Sequence, residues 1–450
     1  MRLTTRTQGL ITSLAFCMTA LLLALLPFHA FLYTFFKSFF WNENWTIFVQ
    51  AWKEILVGFL ISLAGVQLFW KKSKSGFCQT NFQKLRKWWA NQQFLIFPQA
   101  KSFWLASAFV LLAFFYFLFG ENSWPQKLFG FRASSIFFVA FLALTVFTFA
   151  NKQVEQLKKI VLVASSLVLL FALAQKFILP ADFLVNFGYS ENISAWLPGG
   201  NLPQYHIVGS SELIRLQATF SSPNHLAAFI LVILPLAVTL AWRAKTWGWQ
   251  LLGSGVALSG LLVLLWTYSR SAWLGGLAIL LTYAVTSSCK KLKFKPKLII
   301  GGILATLLLG GLAFSTQNFK EIFIRFESSL GHFTKPLQAL ELSFSNPAGL
   351  GLGSSGGASR HFDPSGEGII AENYYLQNFL ELGWLGGFLF LILFYYLLRE
   401  TKNSAVFYSL IGIAVMLFFN APLEDSPTAL TLFLLAGLEI NKRFQPKLLG

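Results

Sequence analysis

Apolar runs of roughly 17 to 25 residues recur along this 450-residue chain, and no other feature restricts its fold as much. In hydrocarbon every backbone N–H and C=O must find a partner within the protein, so runs of this length become helices that cross a core of about 30 Å. About twelve spans are expected, at 9–36, 46–70, 103–120, 134–150, 160–179, 222–242, 251–268, 271–286, 298–314, 384–398, 404–420 and 428–440. The composition agrees: 55% of residues are hydrophobic and only 12% charged, a balance foreign to soluble domains. The expected fold is an all-α polytopic membrane protein whose long extracytoplasmic loop contains amphipathic helices. The first run follows Arg2 and Arg6, is too long for a signal peptide and lacks a small-residue cleavage site, so it reads as a retained anchor.

Lysine and arginine set the orientation. Lys71, Lys72, Lys74, Lys84, Arg86, Lys87 and Lys101 fall in one even-numbered connection, and Lys290, Lys291, Lys293, Lys295 and Lys297 in another. With these inside, both termini are cytoplasmic and almost all acidic residues lie outside, so the net charge of +17 is topological. Because the charge is split into short juxtamembrane clusters, no folded basic domain remains for nucleic acid, and anionic lipid headgroups on the cytoplasmic face are the expected partners. Segment 71–102 interleaves Lys84, Arg86 and Lys87 with Trp88, Trp89 and Phe94, as an interfacial helix would. Cys17, Cys78 and Cys289 map to the membrane or cytoplasm, and no outer-face disulfide is expected.

The outer face keeps two long connections, about 180–221 and 315–383, and chemistry is sought there. In the second, Phe319, Ile322, Phe323, Phe326, Leu330, Phe333, Leu337 and Leu340 recur at helical spacing, which predicts an amphipathic surface helix broken in two at Pro336. The glycine-rich stretch 346–357 then reads either as an anion-binding or glycan-lining loop or as a flexible hinge. Beyond it, a helix is expected to carry Glu372, Tyr375, Phe379 and Gly383 on one face, its glycines admitting a neighbouring helix. Glu372 at its start could serve as a general base or could simply favour the helix dipole. The first connection ends at Ser222-Pro223-Asn224-His225, helix-start chemistry whose free N–H groups can also hold phosphate oxygens. Arg132, Arg215 and Arg270 stand beside spans on the outer side. Arg270 interrupts about 36 residues of nearly continuous membrane sequence. Three guanidiniums could clamp a diphosphate, or each could be an interfacial side chain.

The order Ser222-Pro223-Asn224, Ser269-Arg270-Ser271, a long outer loop, then Glu372-Asn373 with Gly383 and Gly386 resembles the O-antigen ligase and polymerase family over residues 205–400. The N-terminal third resembles it only in hydropathy and in Gly130-Phe131-Arg132. On that basis the chain divides into 1–204, N-terminal helices; 205–400, the ligase/polymerase-like core; and 401–450, a C-terminal hairpin with a basic tail. The resemblance implies a GT-C-like glycosyltransferase in the bacterial inner membrane. It would take a glycan from an undecaprenyl-diphosphate carrier on the extracytoplasmic face and join it to a glycan or lipid acceptor, with inversion and without metal or other cofactor. It also implies Glu372 as base, Arg270 and Arg215 as diphosphate ligands with Arg132 and Arg325 behind them, and Asn224, Asn373 and Tyr375 as substrate contacts. Glu372 stands where the ligases usually carry histidine, which suits a polymerase or another surface-glycan member better than transfer to a lipid A core. His332, His361 and Asp363 are reserve bases.

The five histidines and three cysteines form no spaced ligand set, and metal dependence is not predicted. Glu424-Asp425, the one adjacent acidic pair, is expected in a solvated turn. Two other classes stay open: a flippase or transporter, which would place polar groups near the bilayer midplane, and a scaffold of an envelope-assembly complex.

Overall fold

Continuous apolar sequence with few internal breakers produces a bundle of long helices. The computed structural model describes residues 2–40, 43–74, 100–191, 201–208, 213–288, 326–362 and 368–444. The expected span 298–314, most of loop 71–102, Lys290 to Lys297, Cys78, Cys289, Arg325 and Asp363 lie outside them, as does the side chain of His332.

The helices are α1 (Arg2–Leu25), α2 (His29–Phe39), α3 (Glu43–Lys74), α4 (Lys101–Phe119), α5 (Trp124–Val146), α6 (Asn151–Phe177) and α7 (Pro223–Arg243). After them come α8 (Trp247–Trp266), α9 (Arg270–Ser288), α10 (Phe326–Ser345), α11 (Gly356–Phe362), α12 (Tyr374–Thr401), α13 (Ala405–Met416) and α14 (Ser426–Phe444). Eight helical segments are long and apolar enough to cross a membrane, one being the α1–α2 run, and α13 is a shorter apolar helix. The chain is therefore an all-α, multi-pass membrane protein. Its β structure among the described residues is a two-residue antiparallel pair, β1 (His206–Ile207) with β2 (Ile214–Arg215), and one isolated bridge.

The hydrophobic core is continuous from Ile11 to Ile440 and draws on all three sequence segments. At its centre α14 is buried from Pro427 to Leu438, with Phe433 packed on Phe137 and Phe138 of α5 at 4.7 and 4.8 Å between rings. Gly253 lets α8 lie against the Ala237 and Ala241 backbone of α7. A Cβ there would sit 2.5 Å from the Ala241 nitrogen, so no other residue fits. Helix ends are tied by long-range partners: Glu400 accepts from the Lys101 N–H at 2.7 Å, and the Asn441 amide donates to the Leu144 and Thr145 carbonyls at 3.1 and 2.9 Å. Leu111, Phe119, Leu258 and Leu385 are each more than 60% exposed and form part of the surface that faces lipid.

Three expectations change. The fourth span begins at Trp124, ten residues before 134, so Arg132 lies inside α5 rather than in a connection. Pro336 sits within the single helix α10, which buries Ala339 and exposes Leu337 and Phe344. Gly383 does not receive a neighbouring helix. It adopts φ 65° and breaks α12, and the turn 346–349 packs into the break, with the Trp384 N–H donating to the Pro347 carbonyl at 3.0 Å.

Candidate functional site

A cleft of about 480 Å³ opens where the start of α7, the approach to α12, α11 and the turn before α14 meet. Its size is that of a small-molecule site. Ser222 caps α7 by accepting from the His225 N–H at 3.2 Å, which turns Ser221, Asn224 and His225 into the cleft wall. Across from them stands Glu372, at φ 47° and outside the helix: Asn373 is the cap of α12, its side chain accepting from the Leu376 N–H at 3.0 Å. Glu372 is thus not a first-turn acid. It meets Lys335 of α10 at 2.6 Å.

The third motif segment is tied to the cleft wall by hydrogen bonds, although Arg215 and Arg270 are not among the residues that line it. Arg215 donates to the Asn224 side chain at 2.8 Å and to the Thr267 carbonyl at 2.9 Å, in the turn that leads into Arg270. Asn420, in the cleft wall, donates to the Ser271 hydroxyl at 3.3 Å. The β pair sets His206 opposite Arg215. Burial, then the nearby guanidinium, pull the His206 imidazole down to about 4, so it is neutral at pH 7.

The acidic pair is not solvated. Asp425 is 7% exposed, lies 3.5 Å from His225 Nδ1 and accepts from the Thr428 hydroxyl at 2.7 Å. The same His225 nitrogen is 2.7 Å from the Ser221 hydroxyl. Glu424 accepts from Gln377 Nε2 at 2.6 Å and from the Gly357 N–H at 3.2 Å, and burial pushes its carboxyl up. Several amides of the glycine stretch are engaged within the fold, and Gly356 and Gly357 lie in the cleft wall. The Leu350 and Gly351 N–H groups bond the Leu380 and Glu381 carbonyls at 2.6 and 3.1 Å, and amides of Gly353, Ser355 and Gly357 face the carboxylates of Glu381 and Glu424. Positive φ at Gly349, Gly351, Gly353 and Gly356 makes this path possible.

The remaining expected site residues lie elsewhere. Arg132 pairs with Glu54 at 3.4 Å beside buried Lys53, whose amine is 2.8 Å from His29, and it does not line the cleft. The Tyr375 hydroxyl donates to the Ala414 carbonyl at 2.9 Å, and the Asn373 amide donates to the Phe418 carbonyl at 3.2 Å. His361 stacks on Phe129 at 6.1 Å. Conversely Lys335, Arg360, His206, Gln377 and Glu424 line the cleft without a local signal in the sequence. Among the described residues no three His, Cys, Asp or Glu side chains group as metal ligands. No model of a known protein family matches the chain, and no curated protein matches it.

Proposed function

We propose that this chain is an inverting, metal-independent glycosyltransferase of the O-antigen ligase/polymerase type, with twelve spans, both termini cytoplasmic and its cleft on the extracytoplasmic face of a bacterial inner membrane. The observation that supports the reading is that 221–225 and Glu372, far apart in sequence, line one cleft, while the turn that leads into Arg270 is hydrogen-bonded to its wall through Arg215 and Asn420. These are the segments on which the resemblance rests. Lys335 and Arg360 add cations to the wall.

In the proposed reaction an acceptor hydroxyl attacks the anomeric carbon of the donor sugar, and the bond from that carbon to the carrier diphosphate breaks. Glu372 takes the hydroxyl proton, and undecaprenyl diphosphate leaves with the electron pair. Arginines stabilise the charge that develops on the leaving group and stay protonated at any working pH. Arg270 and Arg215 serve the diphosphate together with Arg360, while Arg132 is engaged by Glu54. Substrate entry displaces Lys335 from Glu372, since a carboxylate held at 2.6 Å by an ammonium is a poor base.

The test is transfer by purified, reconstituted protein given a fluorescent undecaprenyl-diphosphate oligosaccharide, mixed glycan and lipid acceptors, and chelator. Arg270→Ala and Glu372→Gln should each lower transfer by roughly a hundredfold or more while the fold persists. Absence of transfer to every acceptor, with carrier movement across the bilayer, would replace this reading with a transporter.

A further inference from the structure

A second cavity lies at the far end of α7. That helix runs 21 residues from Pro223 in the cleft wall to Arg243, about 30 Å at 1.5 Å per residue, or one hydrocarbon thickness. There the ends of α6, α7, α8, α13 and α14 enclose about 530 Å³.

Five cations line it, Lys158, Lys159, Arg243, Lys245 and Lys442, against two carboxylates, Glu155 and Glu439. Lys158 lies 3.2 Å from both carboxylates and bridges them, and the lining still carries three more cations than carboxylates. Lys159 rests over the Trp249 ring at 4.3 Å. Among the described residues no carboxylate pairs with Arg243, Lys245 or Lys442, so the cavity keeps an uncompensated positive field. Two helix N-termini add to it. Thr246, the cap residue of α8, makes no side-chain cap bond, and α13, whose Phe407 N–H is capped by the Ser404 hydroxyl, begins in the same wall. The upper wall is apolar, formed by Leu162, Leu236 and Leu240. Just outside, Trp247 is 75% and Leu251 55% exposed, an arrangement suited to the lipid interface.

We propose that this cavity binds the phosphate headgroup of an anionic phospholipid, with an acyl chain against the leucine wall. The bound chemistry is a phosphate ester anion. The leucine wall selects a lipid over free phosphate, because a soluble anion would leave that surface wet. This site is independent of the transfer reaction proposed above.

The experiment uses the full-length protein in zwitterionic detergent and native mass spectrometry with short-chain phosphatidylglycerol, phosphatidylcholine or inorganic phosphate at equal concentration. The expected result is at least about tenfold greater occupancy by phosphatidylglycerol than by phosphatidylcholine, lost in Arg243→Gln/Lys245→Gln and retained in Lys152→Gln, a same-face lysine outside the cavity. Equal occupancy by the two lipids overturns the proposal. So does competition by inorganic phosphate at equal concentration, which would make the ligand a free anion. Loss in Lys152→Gln equal to that in the double variant overturns it as well, by assigning the effect to general surface charge. The wild-type lipid ratio decides the matter even if the double variant does not fold.

Discussion

Gly356 and Gly357 are adjacent, and the structure assigns opposite consequences to adding one methyl group to each. At Gly356 the backbone has φ 70°, and a Cβ would lie 2.0 Å from Glu424 Oε1 and 2.6 Å from Gln377 Nε2. A left-handed L-residue costs about 1–2 kcal/mol. Moving Glu424 away breaks at least one hydrogen bond to a charged or enclosed carboxyl, about 1.5–3 kcal/mol. Gly356→Ala should therefore destabilise by about 2.5–5 kcal/mol. At Gly357 the nearest atom is Glu424 Oε2 at 3.4 Å, an ordinary contact, and φ is not positive. Gly357→Ala should fall within about 1 kcal/mol of wild type, helped by the better helix propensity of alanine in α11.

The assay is unfolding in mixed micelles of dodecyl maltoside and dodecyl sulfate, followed by tryptophan fluorescence. A third variant isolates the cause: in a Glu424→Ala background the nearer clash partner is gone and the Gln377 amide, which donates to Glu424 in the wild type, is free to swing away, so Gly356→Ala should cost only the conformational part, about 1–2 kcal/mol. Equal destabilisation by the two glycine substitutions, or an undiminished cost in the Glu424→Ala background, would refute the idea that this turn is shaped around the Glu424 carboxyl.

Asn373→Ala removes the cap of α12 and should cost about 1 kcal/mol in the same titration, with Asn373→Asp recovering most of it. His206 is held down to about 4 by burial and Arg215, so the unfolded chain binds more protons than the folded one between that value and about 6.5. Stability is accordingly full above pH 6.5 and falls as pH drops toward 4, by up to about 3 kcal/mol. His206→Asn should flatten that slope, and an unchanged slope would place the titrating group elsewhere. Lys335→Met breaks the pair with Glu372, yet the lysine is 40% exposed, so stability should move by less than about 1 kcal/mol. A loss above 2 kcal/mol would make the pair a structural tie.

Spans were legible because hydropathy is a local property, and eight helical segments appear where apolar runs predict them. The start of α5 was not, since Lys127 and Arg132 depress local hydropathy. In the fold Lys127 donates to the Gly120 carbonyl at 2.8 Å and Arg132 meets Glu54, so both are accommodated within the bundle. Ser222 as a cap was legible from Ser-Pro-Asn, whereas the backbone of Glu372 was not, because Asn373 rather than Glu372 caps the helix. Glu424-Asp425 misleads for a different reason. Two acids in a short turn read as solvated, whereas Gln377 and Gly357, 47 and 67 residues upstream, supply the bonds that enclose Glu424. Arg360 and Lys335 likewise reach the cleft only through tertiary packing.

The use made of the glycine-loop amides narrows how a donor diphosphate could be held. An N–H group that already faces a carboxylate cannot also face a phosphate, and Gly353, Ser355 and Gly357 direct theirs at Glu381 and Glu424. A phosphate at the loop would also meet the negative charge of Glu424 whenever that group is ionised. The cleft is therefore not built like a phosphate-cradling glycine loop, in which backbone amides do the holding. What remains for an anion in the cleft wall is side-chain charge, Lys335 and Arg360, with Arg215 bonded to Asn224 of that wall. If the glycosyltransferase reading holds, losses from removing these cations should be larger in the rate of transfer than in donor binding, because the charge they oppose grows as the sugar–phosphate bond breaks.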